Sequence, residues 1–228
     1  MIAIDKNIAA VNARIQRACE QSSRDCNTVK LLAVSKKQPV SAIRSAVGEG
    51  IADFGENYLQ EAETKIAELQ EMSLKWHYIG AIQSNKTRAI ASLFDWVHSV
   101  ERASIAKRLS DQRPADRPPL NICLQINIDQ ESNKSGIAPD ELLPMAHSIA
   151  DLPGLRLRGL MAIPAQGADS DTRRASFKRM RSLFDQLAER DNDVDTLSMG
   201  MSADLELAIE EGATLLRIGT DIFGPRGS

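Results

Sequence analysis

Short apolar runs alternate with amphipathic stretches along most of this 228-residue chain. The apolar runs have the length of buried parallel strands, and the stretches between them carry apolar residues three or four positions apart, as helices that cover a sheet do. The predicted strands are LLAVS (31–35), ADFGE (52–56), WHYIG (76–80), DWVHSV (95–100), LNICLQINI (120–128), LRLRGLMAI (155–163), DTLSMG (195–200) and TLLRIG (214–219). The predicted helices span 3–21, 40–49, 57–71, 84–92, 102–112, 139–150, 172–190 and 203–211.

This order of elements predicts an α/β fold, a single (β/α)8 TIM barrel with an extra N-terminal helix, in which residues 1–228 form one domain. The alternative is an open doubly wound sheet, because periodicity does not show whether the first and last strands pair. Gly50 and Gly212 follow predicted helices, where a left-handed cap is favoured. Pro39 and Pro139 come near predicted helix starts, which supports the same boundaries.

Composition and charge narrow the class of protein. The 28 basic and 31 acidic residues are interspersed, so we expect no nucleic-acid partner. The chain has neither an apolar run of the ~18 residues that a membrane span needs nor the layout of a secretory signal at its start. The three cysteines form no CxxC pair, and the histidines lack ligand spacing, so we expect no metal site. These features predict a cytoplasmic protein with no membrane partner.

Two lysines follow the first predicted strand, at an end where such barrels carry their functional side chains. Burial at the barrel mouth would lower the pKa of an amine and so favour its neutral, nucleophilic form. Strand parity places Lys36 on the face of Leu32 and Val34, and Lys37 on the other. Both faces are apolar, so parity does not show which lysine points inward. The alternative is that both lysines merely solvate a strand end.

An anion site is predicted after strands seven and eight. SMGMSAD and RIGTDIFG place Gly200, Ser202, Gly219 and Thr220 near expected helix starts. Free backbone N–H groups at such starts attract anions, and Ser202 is the candidate N-cap. The alternative is that the glycines only turn the chain. An amine opposite a phosphate site predicts a Schiff base with a phosphorylated aldehyde or ketone.

Eight segments from residue 30 to residue 226 carry a resemblance. They are LLAVSKKQP, FGENYLQEAETK, WHYIGAIQSNK, FDWVHSV, QINIDQESNKSG, LRGLMAIPA, LSMGMSADLELAI and LLRIGTDIFGPR. In this order they resemble the pyridoxal phosphate homeostasis protein family, whose members are related to the barrel domain of alanine racemase. Eight motifs in register are far more specific than any one of them.

The resemblance implies a site for pyridoxal 5′-phosphate (PLP). It implies that Lys36 holds PLP as a Schiff base and that Arg217 approaches the pyridine nitrogen. The other implied binding residues are Asn57 beside the ring, Ser202, Gly219 and Thr220 at the phosphate, and Ser198 and Gly200 close to it.

The charge of Arg217 bears on the choice between a binding protein and an enzyme. A guanidinium opposes a proton on the pyridine nitrogen and leaves the ring a weak electron sink. Racemisation also needs a second base, which alanine racemase takes from a further β domain. We therefore expect a PLP-binding protein in intracellular PLP (vitamin B6) homeostasis, without turnover, monomeric, and with PLP-dependent apoenzymes as candidate recipients. A PLP-dependent racemase or lyase of low activity and a class I aldolase-type barrel are the alternatives.

Other polar residues receive weaker functional interpretations. His77 and His98 lie in apolar strands and are expected to be hydrogen-bonded core residues, and His147 is expected to be solvated. Lys134 is interpreted as a surface charge, with a second amine for PLP in transit as the alternative. Residues 164–174 are predicted to form a connection, with a lid as the alternative.

Overall fold

The computed structural model describes residues 3–132, 134–165 and 167–225. The strands are β1 (Lys30–Val34), β2 (Asp53–Glu56), β3 (Lys75–Tyr78), β4 (Trp96–Val100), β5 (Leu120–Gln125), β6 (Leu155–Met161), β7 (Thr196–Ser198) and β8 (Leu215–Ile218). The helices are α1 (Ile4–Gln21), α2 (Val40–Gly48), α3 (Leu59–Glu68), α4 (Thr87–Leu93), α5 (Ala103–Asp111), α6 (Leu142–Ile149), α7 (Ser170–Ala188), α8 (Leu205–Glu210) and α9 (Thr220–Phe223). Short 3₁₀ turns occur at Cys26–Thr28, Ser84–Lys86 and Pro139–Glu141.

The strands form a closed parallel barrel in chain order. Each strand pairs with the next, and β8 closes the barrel by pairing with β1. This closure confirms the predicted barrel and rules out the open sheet. Gly50 and Gly212, with φ of +84° and +97°, follow α2 and α8 as left-handed caps, as predicted.

Several predicted elements are shorter than expected. The strand predicted at 195–200 stops at Ser198, and Gly200 has a φ of +92° that an extended strand does not adopt. The strand predicted at 120–128 stops at Gln125, because its partner β6 ends there and Ile126 forms only an isolated bridge. The helix predicted at 203–211 begins at Leu205, since Asp204 has a non-helical φ of −145°.

The inside of the barrel holds polar as well as apolar side chains. Trp96, Cys123 and Met161 form an apolar cluster there. Buried beside it, each no more than 5% exposed, are His77, His98, Ser198 and Arg217. The interior of such barrels is usually dominated by bulky branched apolar residues, and buried polar groups need hydrogen-bond partners. This polar set therefore calls for an account of its hydrogen bonds.

The extra N-terminal helix, α1, packs outside the barrel against α2, α8 and α9. Its buried apolar face is formed by Ile4, Ile8, Val11, Ile15, Ala18 and Cys19. Arg14 of α1 forms ion pairs with Glu206 of α8 at 2.6 Å and Asp221 of α9 at 2.5 Å. Its Nη2 also donates a hydrogen bond to the carbonyl of Ser202 at 3.0 Å. One arginine thus fixes the segments that follow both β7 and β8.

Two further surveys concern the described ranges only. None of the helices there combines the length and the apolar character that crossing a membrane requires. The same residues contain no group of three or more His, Cys, Asp or Glu side chains that could hold a metal ion.

Candidate functional site

A cavity of about 260 Å³ opens at the carboxyl end of the barrel. Its lining residues are Val34, Lys36, Gln38, Asn57, Ile79, Met161, Ile163, Met201, Ser202, Ala203, Arg217, Gly219, Thr220 and Gly224. The structure thereby brings together six of the predicted binding residues: Lys36, Asn57, Ser202, Arg217, Gly219 and Thr220. They come from the ends of β1, β2, β7 and β8, where parallel strands of a barrel converge.

Lys36 reaches the cavity from the inward face of β1. Val34, on the same face of the chain, also lines the cavity. Lys37 is exposed, has a φ of +61°, and its backbone N–H donates to Glu61 Oε1 at 2.5 Å. The structure therefore resolves what strand parity left open, because Lys36 faces the cavity and Lys37 faces solvent.

A buried charged cluster lies behind Lys36, on the helix side of the barrel wall. Lys65 of α3 is 4% exposed, and its Nζ donates to the Ser35 carbonyl at 2.7 Å, to Glu56 Oε1 at 2.7 Å and to Glu61 Oε1 at 2.6 Å. The Ser35 hydroxyl also donates to Glu56 Oε1 at 2.6 Å. Burial raises the pKa of Glu56 even though the Lys65 charge opposes that change. The cluster fixes the backbone immediately before Lys36.

Sequence reasoning missed Lys65. A lysine inside an amphipathic helix is normally solvent-exposed. The available signal was its spacing, since Lys65 lies three positions after Ala62 and six after Leu59, both on the buried face of α3. A cation on an apolar helix face predicts a buried acid opposite it.

Arg217 of β8 forms part of the cavity wall and is held by two neighbouring strand ends. Its Nη1 donates to the carbonyl and to the hydroxyl of Ser198, at 2.7 and 2.8 Å, and its Nη2 donates to the Ala162 carbonyl at 2.9 Å. Burial lowers the pKa of Arg217 to about 10. The guanidinium is therefore still charged at neutral pH, with its plane fixed by three hydrogen bonds.

A chain of hydrogen bonds continues from Ser198 toward the opposite end of the barrel. The Ser198 hydroxyl lies 3.0 Å from His98 Nδ1, and His98 Nε2 lies 2.9 Å from His77 Nδ1. His77 Nε2 lies 2.9 Å from Oδ1 of Asp53, the first residue of β2. Burial lowers the pKa of both His77 and His98. Both histidines are hydrogen-bonded core residues, as expected, but the chain they form was not foreseen.

Ser202 and Thr220 face each other across the segments after β7 and β8. The prediction that Ser202 caps a helix is wrong, because α8 begins at Leu205 and the Asp204 carboxylate accepts the nearby Met201 N–H at 2.7 Å. The Ser202 hydroxyl instead lies 3.4 Å from the backbone nitrogen of Asp221 in the first turn of α9. Gly219 precedes that turn, as predicted.

Ser198 and Gly200 lie behind the cavity wall and not on it. Ser198 is fully buried and contacts Arg217, as described above. The Gly200 carbonyl accepts the Arg217 N–H at 3.0 Å. A Cβ at Gly200 would come within 2.5 Å of Ala208 Cβ, so the glycine lets α8 pack against the strand end. Both residues support Arg217, and their closeness to a bound phosphate stays a prediction.

Comparison with known proteins places the chain in a family. The family described as alanine racemase, N-terminal domain, matches residues 6–227. A pyridoxal phosphate homeostasis protein from Pseudomonas aeruginosa is 57% identical over 226 residues, which cover 99% of this chain and 97% of that relative. A protein of the same name from Escherichia coli K12 is 49% identical, with 98% and 97% covered. The chain belongs to the pyridoxal phosphate homeostasis protein family.

Solved structures agree with this family assignment. PipY of Synechococcus elongatus, solved with PLP bound, superimposes with a TM-score of 0.84 at 35% identity, covering 97% of this chain and all of PipY. Alanine racemase of Corynebacterium glutamicum has a TM-score of 0.69 over 98% of this chain and 60% of that one. At 17% identity this likeness shows the fold alone. The resemblance seen in the sequence is confirmed.

The polar groups and the volume of the cavity suit PLP. Asn57 Oδ1 is buried without a protein partner, and a bound polar ligand would satisfy such an atom. The Asn57 backbone is held against Gly80, where a Cβ would lie 2.1 Å from the Asn57 carbonyl oxygen. In α9 the Asp221 N–H donates to the Ser202 hydroxyl, and the Ile222 and Phe223 N–H groups donate to the Gly219 carbonyl. The site therefore offers an amine, a guanidinium and hydroxyls around one cavity.

The remaining candidates lie away from this cavity. Lys134 forms an ion pair with Glu131 and is 27% exposed. The predicted connection over 164–174 ends at Asp169, which caps α7 by accepting the Thr172 N–H at 2.7 Å, so the helix predicted from 172 begins two residues earlier, at Ser170. Gln166, within that segment, lies outside the described residues.

Proposed function

We propose that this chain binds PLP in the cavity at the carboxyl end of the barrel, holds it as a Schiff base on Lys36, and takes part in intracellular PLP homeostasis. The observation that carries the proposal is that Lys36, Arg217 and the Ser202–Thr220 wall line one cavity. Family membership supports it, since the relatives are named for PLP homeostasis and PipY has been solved with PLP bound.

Each side chain contributes a separate part of the binding. PLP supplies an aldehyde that an amine takes up reversibly. Lys36 provides that amine from a backbone fixed by the buried cluster of Ser35, Glu56 and Lys65. The hydroxyls of Ser202 and Thr220 are hydrogen-bond donors for a phosphate, and Gly219 leaves room for its close approach to the backbone.

The ionisable groups of the cavity favour a carrier over an enzyme. Among the described residues that line the cavity, only Lys36 and Arg217 carry an acidic or basic side chain. Racemisation needs a second base besides Lys36 on the opposite face of the substrate carbon, and a cation at the pyridine nitrogen weakens the ring as an electron sink. We therefore propose that the chain binds and releases PLP without turnover.

Borohydride trapping tests the attachment site. The chain loaded with PLP should show the absorbance of an imine, and reduction followed by peptide mass analysis should place a pyridoxyl group on Lys36. Lys36→Ala should remove both signals, and Lys37→Ala, the matched control at an exposed position, should keep them. A label on Lys37 or an unchanged spectrum in Lys36→Ala would overturn the proposal. Trapping of a sugar phosphate in place of PLP would favour an aldolase.

Turnover and delivery need separate assays. We expect no racemisation of alanine and no elimination from serine above the rate with free PLP, and turnover that disappears in Lys36→Ala would identify an enzyme instead.

We also propose that the loaded chain is a monomer that restores activity to a PLP-dependent apoenzyme. Sedimentation as a dimer, or reactivation that is no better than with free PLP at the same total concentration, would contradict this part.

A further inference from the structure

The hydrogen-bond chain from Arg217 to Asp53 has a single consistent direction. Arg217 can only donate, and an ionised carboxylate at Asp53 can only accept. His77 Nε2–H must therefore donate to Asp53, which leaves Nδ1 of His77 to accept from His98 Nε2–H. His98 Nδ1 then accepts from the Ser198 hydroxyl, whose oxygen accepts from Arg217 Nη1. The donor Arg217 and the acceptor Asp53 therefore determine which atoms of Ser198, His98 and His77 carry the hydrogens.

The directed chain requires neutral histidines and an ionised Asp53, and the surroundings of each group agree with that. Burial lowers the pKa of His77 and that of His98, and the positive charge of Arg217 lowers the pKa of His98 further. Burial alone would raise the pKa of Asp53, but its interaction with His77, together with the charges of Lys75 and Lys30, outweighs burial and the net direction is down. Two neutral imidazoles between a cation and an anion are what the directed chain requires.

The position of Asp53 makes the chain a link between the two ends of the barrel. Asp53 begins β2 at the amino end and its side chain is 30% exposed, whereas Arg217 forms part of the cavity wall at the carboxyl end. A second cavity of about 250 Å³ at the amino end is lined by Asp53 and His77. The interior of such a barrel is usually apolar. A buried polar network there is favourable when all its hydrogen bonds are made, and it can then fix the orientation of a functional group.

We propose that Asp53, His77 and His98 are positioning residues that fix Arg217, through Ser198, in the orientation that the bound cofactor meets. The chain restricts Nη1 and, with the Ala162 carbonyl on Nη2, sets which edge of the guanidinium faces the cavity. The part that concerns PLP rests on the proposed function. The part that concerns Arg217 itself does not.

Nitrogen NMR of the chain without PLP tests the direction of the hydrogen bonds. We expect both His77 and His98 to carry the proton on Nε2 and none on Nδ1 at pH 7, and the Arg217 side-chain N–H signals to exchange slowly with water. A proton on Nδ1 of either ring would overturn the proposal. This measurement uses the natural chain, so it decides the matter even if a variant fails to fold.

Substitution at the distant end tests the link to the cavity. Asp53→Ala should speed the exchange of the Arg217 signals, shift the absorbance maximum of bound PLP and raise its Kd about two- to tenfold, the range expected for one lost hydrogen bond. Asp53→Asn, which keeps an acceptor oxygen, should restore all three. The matched control is Asp95→Ala, since Asp95 precedes β4 with the same 30% side-chain exposure and its charge also raises the pKa of His77, but it bonds to Arg117 and the Trp76 N–H and not to the chain.

The outcomes separate this inference from the proposed function. Equal effects of Asp53→Ala and Asp95→Ala on Arg217 exchange would refute the positioning role. Absence of PLP binding by the natural chain would refute the proposed function and the cofactor part of the inference, while the exchange measurement would still decide whether Asp53 orders Arg217.

Discussion

Replacing Lys65 by methionine should destabilise the protein, because it leaves the buried Glu56 carboxylate without its positively charged partner. Methionine is unbranched and of similar length, so the loss of packing is small. Its thioether gives no hydrogen bond to Glu56, which is fully buried, or to the Ser35 carbonyl. Breaking a buried ion pair by removal of one partner typically destabilises a protein by about 3–5 kcal/mol.

The size of the charge contribution can be bounded from the ordinary pKa of Glu56. If the unpaired carboxyl takes up a proton, holding it protonated at pH 7 costs about 1.36 kcal/mol for each pH unit above its ordinary pKa of 4.5, or about 3.4 kcal/mol. At pH 5 the same arithmetic gives about 0.7 kcal/mol. The destabilisation relative to the native chain should therefore shrink by up to about 2.7 kcal/mol between pH 7 and pH 5.

Urea unfolding of the native chain and Lys65→Met at pH 7 and pH 5 measures this difference. Lys107→Met is the control, since the Lys107–Asp111 pair is exposed and should contribute about 0.5 kcal/mol or less. Adding Glu56→Gln to Lys65→Met should recover part of the loss. The reasoning is wrong if Lys65→Met loses no more stability than Lys107→Met at pH 7, or if its deficit is the same at pH 5.

Three further changes have expected outcomes. Arg14→Met should raise the Kd for PLP about two- to tenfold by releasing the segments after β7 and β8, whereas Arg17→Met, on an exposed face of α1, should leave it unchanged in a spectroscopic titration. Gly219→Ala should weaken PLP binding, because its φ of −118° suits any residue but an added Cβ would lie 3.2 Å from the Val34 carbonyl oxygen and shift the end of β1 that precedes Lys36; unchanged binding would contradict this. Because burial lowers the pKa of His77 and His98, the unfolded chain binds more protons below pH 6.5, and stability should fall on acidification by up to about 1.4 kcal/mol per pH unit for each histidine. Urea unfolding at pH 6.5 and 5.5 should show a steeper fall in the native chain than in His98→Gln.

The barrel and its reactive end could be predicted because they depend on local signals. Apolar runs and amphipathic spacing mark the strands and helices, and the carboxyl ends of parallel strands necessarily meet at one edge. The lysine pair after β1 and the Arg217–Thr220 segment after β8 were therefore predicted at one end of the barrel, whereas the choice of Lys36 and the role of Arg217 came from the family resemblance. The choice between Lys36 and Lys37 could not be made from strand parity, since a strand buried on both faces gives no polar side to orient it.

The side chains that were missed depend on contacts between distant parts of the chain. The His98–Ser198 contact joins residues 100 positions apart, and nothing in the periodicity of β4 or β7 encodes their height in the barrel. The Ser202 cap failed for a related reason: Asp204 lies two residues later, and its non-helical φ of −145° makes it the residue from which α8 begins. Where two capping candidates lie two residues apart, residue type alone does not show which one begins the helix.

If Lys36 holds PLP as proposed, release of PLP requires that water reach the carbon–nitrogen bond, because hydrolysis consumes one water to return the amine and the aldehyde. Lys36 is only half-buried at an open cavity, so its side chain meets that requirement. The groups around it are held differently: Ser35 by Lys65 from the helix side, and Arg217 by Ser198 from the barrel interior. A rigid wall around an accessible amine lowers the entropy lost on binding without blocking release. Such a division suits a carrier better than an enzyme, which gains from excluding water once its substrate is bound.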